Sequence, residues 1–260
     1  MNILVFVKRV PDTESKIRIN PETNSVVEEG LNFVISPYDE YAMEEALRIR
    51  EAKGGKVTAV TVGRDESLVI LKKCLAMGAD EAALIKDATP ETYDGLRTAR
   101  IIAGFIRAKS PDAKLLLFGK QSVGADNSQV PAMVAELMGL PQANVVVKLE
   151  IDGDGGVAHR EIEGAQEKVA FPLPAVITAQ KGLNEPRYET LKGIMMAKKK
   201  EIPIISIEEL GFRPEDLASG VEITGMEMPP ARQAGKVVTG TPEETARQLV
   251  GFLHNDAKII

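Results

Sequence analysis

The first 140 residues alternate between two textures: short continuous apolar runs, and longer stretches in which apolar residues recur every three or four positions. The runs are Ile3-Leu4-Val5-Phe6-Val7, Val57-Thr58-Ala59-Val60-Thr61-Val62, Ala82-Ala83-Leu84-Ile85 and Leu115-Leu116-Leu117-Phe118. Continuous apolar character of this length predicts strands covered on both faces. Between them, Ala42, Met43, Ala46, Leu47 and Ile49 form a helical stripe that opens on Ser36 as N-cap and Pro37 at the first helical position. Leu68, Leu71, Leu75 and Ala76 form a second stripe, stopped by Met77-Gly78-Ala79-Asp80. Ala99, Ile102, Ala103 and Ile106 predict a helix over residues 92–109, and Val130, Met133, Val134, Leu137 and Met138 predict one that ends at Gly139. Strand and helix in repeated alternation give a mainly parallel, helix-covered sheet with right-handed crossovers. A small hairpin interrupts the pattern, with Lys16-Ile17-Arg18-Ile19-Asn20 and Ser25-Val26-Val27 flanking the turn Pro21-Glu22-Thr23-Asn24.

After Pro141 the texture changes. Asn144-Val145-Val146-Val147-Lys148-Leu149, the turn Asp152-Gly153-Asp154-Gly155-Gly156, and Val157-Ala158-His159-Arg160-Glu161-Ile162 predict an antiparallel ribbon, and Pro174-Ala175-Val176-Ile177-Thr178-Ala179 a further strand. The sheet is therefore expected to be mixed. A short helix around Ile194 and Met195 with a basic end at Lys198-Lys199-Lys200 follows, then an extended tail through Met228-Pro229-Pro230 to a final amphipathic helix over residues 242–254. Two regions are expected: residues 1–200 as an α/β domain, and residues 201–260 as an arm that wraps its own domain or another chain.

Composition narrows the chemistry. The 260 residues are 44% hydrophobic and 27% charged, enough for a sizeable core. A net charge of −6 argues against a nucleic-acid surface. One cysteine, Cys74, excludes an internal disulfide, and with only His159 and His254 there is no zinc-type cluster. Cys74 lies beside a buried stripe and reads as a small core residue. His159 reads as a surface residue without a base or nucleophile partner. No apolar run reaches membrane-spanning length, so no membrane span is expected.

The stretch of greatest functional interest is the loop after the fourth apolar run, Gly119-Lys120-Gln121-Ser122-Val123-Gly124-Ala125-Asp126-Asn127-Ser128-Gln129, which opens into Val130. Such a loop between a buried strand and a helix suits a nucleotide, because backbone N–H groups and the helix dipole converge there. A plain βα turn is the simpler account of the loop alone. Acidic Asp39 and Glu40 at the start of one helix repel phosphate and suit a ribose or base, whereas Asn127, Ser128 and Gln129 at the start of the other offer a neutral anion site.

Several blocks carry a family resemblance: Lys8-Arg9-Val10-Pro11-Asp12, Ser36-Pro37-Tyr38-Asp39-Glu40-Tyr41-Ala42-Met43-Glu44-Glu45-Ala46, Leu75-Ala76-Met77-Gly78-Ala79-Asp80, Gly119-Lys120-Gln121, and above all Leu183-Asn184-Glu185-Pro186-Arg187-Tyr188 with Ala197-Lys198-Lys199-Lys200. Together they resemble the β subunit of electron transfer flavoproteins over nearly the whole chain. The resemblance implies a Rossmann-like, adenine nucleotide α-hydrolase-like α/β fold. It also implies a partner α subunit that holds the redox FAD, and a structural AMP in this chain at Phe6, Ser36, Pro37, Tyr38, Asp39, Val62 and residues 119–130. It further implies that Leu191, with Tyr188, Ile194 and Met195, docks acyl-CoA-type or other dehydrogenases, that Glu161 contacts the flavin domain, and that electrons pass to an acceptor such as a quinone oxidoreductase. Such a chain is an electron-carrier subunit with no catalytic residues of its own, in the bacterial cytoplasm or, in a eukaryote, the mitochondrial matrix. At Met196 relatives carry a basic residue.

Two alternatives remain open. In bifurcating relatives the pocket holds a second FAD and the complex oxidises NADH. The loop from Val123 to Gln129 lacks both the acidic run of the AMP type and the Gly-Asp-Thr sequence of the bifurcating type, while Phe6 would crowd a large ligand. The other alternative is a stand-alone nucleotide-binding sensor, against which the long tail and the Leu191 loop argue.

Overall fold

The computed structural model describes residues 1–87, 94–230 and 234–260. Its elements in chain order are β1 (Asn2–Phe6), β2 (Arg9–Pro11), β3 (Ile19–Asn20), β4 (Ser25–Val26), β5 (Phe33–Ile35), α1 (Pro37–Lys53), β6 (Lys56–Gly63), α2 (Leu68–Met77), β7 (Glu81–Lys86), α3 (Gly95–Lys109), β8 (Leu115–Gly119), α4 (Val130–Met138), β9 (Gln142–Asp152), β10 (Gly155–Ile162), β11 (Ala165–Pro172), β12 (Ala175–Ala179), α5 (Leu191–Ala197), β13 (Ile204–Ser206) and α6 (Pro242–Gly251). Thr92, inside the span expected for the third helix, lies outside the described residues.

The main sheet runs β11-β10-β9-β12-β8-β1-β6-β7-β13. Strands β9, β12, β8, β1, β6, β7 and β13 are parallel, while β9, β10 and β11 form an antiparallel ribbon at one end, so the sheet is mixed as expected. The hairpin of β3 and β4 also forms where the sequence put it.

Alternation along β1 divides the core into two layers, because successive side chains point to opposite faces. Ile3, Val5 and Val7 pack with Met43 and Leu47 of α1 and Leu71 and Cys74 of α2. Leu4 and Phe6 pack with Ile102 and Phe105 of α3 and Val134 of α4. The result is three layers, helix–sheet–helix. The connection from β1 leads to β6 on one side, whereas β8 lies on the other side of β1 and leads into α4 on the opposite face. The gap between β1 and β8 is therefore the topological switch point, where an open α/β sheet leaves a crevice beyond its strand ends.

Two long-range clamps hold the periphery. Glu44 and Glu45 of α1 are buried despite their charge. Glu44 accepts from Arg187 Nε (2.8 Å), Nη2 (3.0 Å) and backbone N (3.1 Å), while Glu45 accepts from Asn184 Nδ2 (2.9 Å), which also reaches the Tyr41 carbonyl at 3.0 Å. This seats residues 183–188 on α1 and fixes where α5 begins. A Cβ at Gly193 would lie 2.2 Å from the Ala76 carbonyl oxygen, so glycine is what allows α5 to meet the end of α2. The second clamp is on the other face. Arg97 forms a two-pronged ion pair with buried Asp87, and its Nε donates to the Leu217 carbonyl at 2.8 Å.

The chain past residue 200 first adds β13 to the edge strand β7 and then packs Phe212 against Gly104 of α3, so it leaves the body later than residue 201. Past Leu217 no described residue is buried. Val237, Leu249, Val250, Ile259 and Ile260 are exposed apolar residues on this arm, and α6 buries none of its side chains. Among the described residues no helix is long and apolar enough to cross a membrane.

Candidate functional site

The expected nucleotide residues converge on the switch point. Ser36 is the N-cap of α1 and Pro37 its first residue, as the sequence indicated. The buried Ser36 hydroxyl does not bond the helix, however, and its Oγ has no hydrogen-bond partner among the described residues. Across the gap, β8 ends at Gly119, where a Cβ would fall 2.4 Å from Asp39 Oδ1 and 2.7 Å from the Tyr38 carbonyl carbon. Glycine at this position therefore lets the start of α1 approach the end of β8.

Asp39 does something different from what its position on the helix suggested. Its carboxylate is buried and points inward, with Oδ2 accepting the Lys8 N–H at 2.8 Å and Oδ1 the Gly119 N–H at 3.0 Å. Both donors are backbone groups, one just past the end of β1 and one at the end of β8. The carboxylate thus ties the start of α1 to the ends of both strands. Burial pushes this carboxyl up to about 7, against the pull of the two amides and of Lys8. The Lys8 amine is itself lowered by burial, with Asp39 pulling the other way, and its Nζ reaches Ser122 Oγ at 3.3 Å.

The two strands end on an aromatic pair. Phe6 and Phe118 stack with ring centroids 4.6 Å apart and planes 15° from parallel, and Val62 packs on the same layer. Lys120 turns its ammonium over the Tyr38 ring, 4.9 Å from the centroid, rather than into solvent. The loop between β8 and α4 is held by its own side chains. Gln121 donates to Asp126 Oδ1 at 2.7 Å and accepts from Ser128 Oγ at 3.1 Å, while Asp126 and Ser128 adopt positive φ of 49° and 50° and Gly124 of 96°. Val123, Ala125 and Asn127 complete the loop; Asn127 and Gln129 are exposed. Gln129 is the N-cap of α4 and makes no side-chain cap bond, which leaves the N–H groups of Val130 and Ala132 without a side-chain cap; Pro131 between them has none. The donor set therefore fits a nucleotide monophosphate: amide and hydroxyl donors at a helix start, an unpartnered buried hydroxyl at Ser36, and a glycine-tight frame.

The second group of expected residues lies elsewhere. Thr190 caps α5, its hydroxyl accepting from Gly193 N at 3.0 Å. Leu191 is 84% exposed, Tyr188 94% and Met195 65%. Leu191 and Met195 are one helical turn apart and share a face. Ile194 turns the other way, against the core, and is an anchor of the helix more than part of its outer face. The basic end of α5 is also not simply solvated: Lys200 Nζ donates to the carbonyls of Ala79 (3.2 Å) and Asp80 (2.7 Å) beyond α2. Glu161, on β10, accepts from Gln180 Nε2 at 3.4 Å just past the end of β12. His159 is half-buried in the ribbon, 3.8 Å from Glu150. Cys74 is fully buried with its thiol pushed up by burial, an inert core residue as expected. Among the described residues no cluster of His, Cys, Asp and Glu could hold a metal ion.

A family model described as the electron transfer flavoprotein domain matches residues 23–210. The chain belongs to the electron transfer flavoprotein family. It is similar to the electron transfer flavoprotein subunit beta of Bacillus subtilis, 40% identical with both chains covered in full, and to that of Thermoanaerobacterium thermosaccharolyticum, 38% identical over 98% of each. It is also similar to the caffeyl-CoA reductase–Etf complex subunit CarD of Acetobacterium woodii, 36% identical over 97% of this chain and 98% of that one. The alignment with the Bacillus subtilis subunit spans the whole chain, so both the β1/β8 strand ends and the exposed arm lie within it. The α/β fold expected for this family is the one observed.

Lys8 and Phe118 are the site residues that sequence reasoning passed over. The available signal was a lysine directly after a fully apolar strand, since a charge at that place must lie near the crevice. Phe118 was visible only as the last residue of an apolar run.

Proposed function

We propose that the chain is the β subunit of a heterodimeric electron transfer flavoprotein that seats AMP structurally at the β1/β8 crevice. In this reading Ser36, Pro37 and Tyr38 flank the adenosine, and residues 119–130 with the free start of α4 hold the phosphate. The exposed apolar arm lies against an α subunit that carries the redox FAD. Leu191, Tyr188 and Met195 form a small apolar anchor for brief docking of dehydrogenases, a size of contact that suits a transient interface. Electrons then leave the α-subunit FAD for an acceptor such as a quinone oxidoreductase. Glu161, at the ribbon, faces the flavin domain. The bound nucleotide supplies no redox chemistry; the chain's own residues orient it and hold the two strand ends.

The observation that carries this reading is the end-to-end alignment with β subunits combined with an arm in which no described residue past Leu217 is buried. An arm so exposed and apolar suits a bound partner and tells against a stand-alone sensor. The test is co-expression with the α subunit from the same source, with and without residues 221–260. A yellow 1:1 complex that forms only with the full chain supports the proposal, and a full chain that stays monomeric and colourless beside the α subunit refutes it.

A second reading is a bifurcating complex with FAD in this crevice and NADH oxidation. The similarity to the Acetobacterium woodii subunit favours it. The Phe6 ring, stacked on Phe118 at the strand ends, favours the smaller ligand because it would crowd a large one.

A further inference from the structure

The arm leaves the body at one point, and one carboxylate holds it there. Asp94 is the N-cap of α3, where its Oδ1 accepts from the N–H groups of Leu96 (2.9 Å) and Arg97 (3.0 Å). Its Oδ2 accepts from the N–H of Gly220 at 2.8 Å. We propose that Asp94 is the positioning residue of the arm: one oxygen caps α3 while the other fixes Gly220, so that the arm sets out in the direction in which the α subunit takes it. The role rests on the two-subunit reading given above.

Burial and hydrogen bonding mark the same exit. Leu217 packs into the core layer of α3 and its carbonyl accepts from Arg97 Nε at 2.8 Å, whereas no described residue after it is buried. Ser219 Oγ lies 3.4 Å from Asp94 Oδ2, but its one hydrogen has a nearer acceptor in the Val221 carbonyl at 2.8 Å. The Gly220 N–H is therefore the bond that ties the arm to Asp94. Among the described residues no hydrogen bond or ion pair joins residues 221–260 to residues 1–217, so this is the last such contact before the arm.

The surroundings of the exit suit a subunit contact. Leu96, next to Asp94 on α3, is exposed, and so are Val221 and Ile223 just past Gly220. The start of α3 lies beside that of α4, since a Cβ at Gly95 would fall 3.1 Å from Gln129 Oε1 and 3.7 Å from Met133 Sδ. A partner that grips the arm here meets the edge of the sheet from which α3 and α4 both begin. Without the Gly220 bond, residues 218–220 are free in the isolated chain and must be ordered when the α subunit binds. Fixing the backbone of one residue corresponds to about a tenfold change in an association constant.

The experiment measures binding of the flavin-loaded α subunit from the same source to the full chain by interferometry, for the natural sequence, Asp94→Asn, Gly220→Pro and the double variant. Asparagine caps a helix as well as aspartate but turns an amide NH2 toward the Gly220 N–H, and proline deletes that N–H without touching α3. Each single variant is expected to bind about tenfold more weakly. The double variant should bind no more weakly than the weaker single one, because both remove the same bond. In the isolated natural chain the Gly220 amide, corrected for intrinsic exchange, should exchange at least about tenfold more slowly than that of Ile223, and Asp94→Asn should abolish the difference. Binding of either single variant within about twofold of the natural chain, losses that add in the double variant, or an unprotected Gly220 amide overturns the role of Asp94 and leaves the two-subunit reading standing. A natural chain that does not bind the α subunit overturns both.

Discussion

Replacing Arg187 with methionine tests whether the 183–188 block is clamped to α1 by charge. Methionine keeps the length and the apolar stem of the side chain and deletes the guanidinium. Three hydrogen bonds to Glu44 involve Arg187, two from the guanidinium and one from its backbone, and the guanidinium also pairs with Glu51. The Glu44 side chain is only 7% accessible, whereas Arg187 is 33% and Glu51 50% accessible. The Glu51 bond is therefore screened by water and contributes little, under about 1 kcal/mol. The Glu44 pair is different, because its loss leaves a carboxylate in a site that excludes water. Breaking a buried pair typically costs about 3–5 kcal/mol, and partial exposure of Arg187 brings the expectation to about 2–3 kcal/mol. For a domain of this size that corresponds to a fall in Tm of roughly 5–8 °C. Urea and thermal unfolding of Arg187→Met and of Arg187→Met with Glu44→Gln would measure it. The double variant should recover at least half of the loss, since the stranded charge is then gone. A single-variant loss below about 1 kcal/mol, or no recovery in the double variant, would falsify the clamp.

Further outcomes follow from other parts of the molecule. Gly119→Ala should destabilise the chain by about 1–3 kcal/mol in the same unfolding assay, because the added methyl meets Asp39 and the Tyr38 backbone at under 3 Å. Leu191→Ala, at an 84% exposed position, should leave Tm unchanged within the equivalent of about 0.5 kcal/mol, yet weaken coupling to a partner dehydrogenase by about tenfold or more in a stopped-flow assay. Cys74 should resist a thiol reagent in the native chain and react fully in urea; rapid native labelling would contradict its burial. Because Asp39 is raised in the folded state, its contribution to stability is fully present below the unfolded carboxyl value near 4 and is lost as pH rises through about 7. The stability of the natural chain relative to Asp39→Asn should therefore decline between pH 4 and pH 7.

What the sequence made legible was whatever has a short-range pattern. The continuous runs of β1, β6, β7 and β8, the Ser36-Pro37 helix start and the glycine stops of α2 and α4 all lie where the chain chemistry placed them. The strands that escaped notice lack that pattern. β11 carries Gln166, Glu167 and Lys168 in succession because both faces of this edge strand meet solvent, so neither a continuous run nor an alternation marks it. β13 has only three residues, and β5 is a short pairing with β2 that owes its place to the chain returning beside Lys8.

Part of what the sequence grouped is adjacent in the fold: Gly119 and Lys120 do meet Tyr38 and Asp39 where β1 and β8 end, as a strand-end argument on an α/β sheet anticipates. The inward turn of Asp39 could not be read, because its partners are backbone amides, which leave no residue signature. The partners of Glu44 and Glu45 likewise leave no local pattern, since they come from the Asn184-to-Arg187 block about 140 residues away. Exposure of Leu191 and the inward turn of Ile194 depend on Gly193 letting α5 onto α2, a contact visible only in three dimensions.

The central claim is that this electron transfer flavoprotein chain seats AMP while flavin resides on its partner. Acid extraction of the purified two-subunit complex, followed by chromatographic counting of adenine nucleotide and flavin, tests it most directly. One AMP and one FAD per complex is the predicted result; two FAD and no AMP, with flavin reducible by NADH, would contradict it.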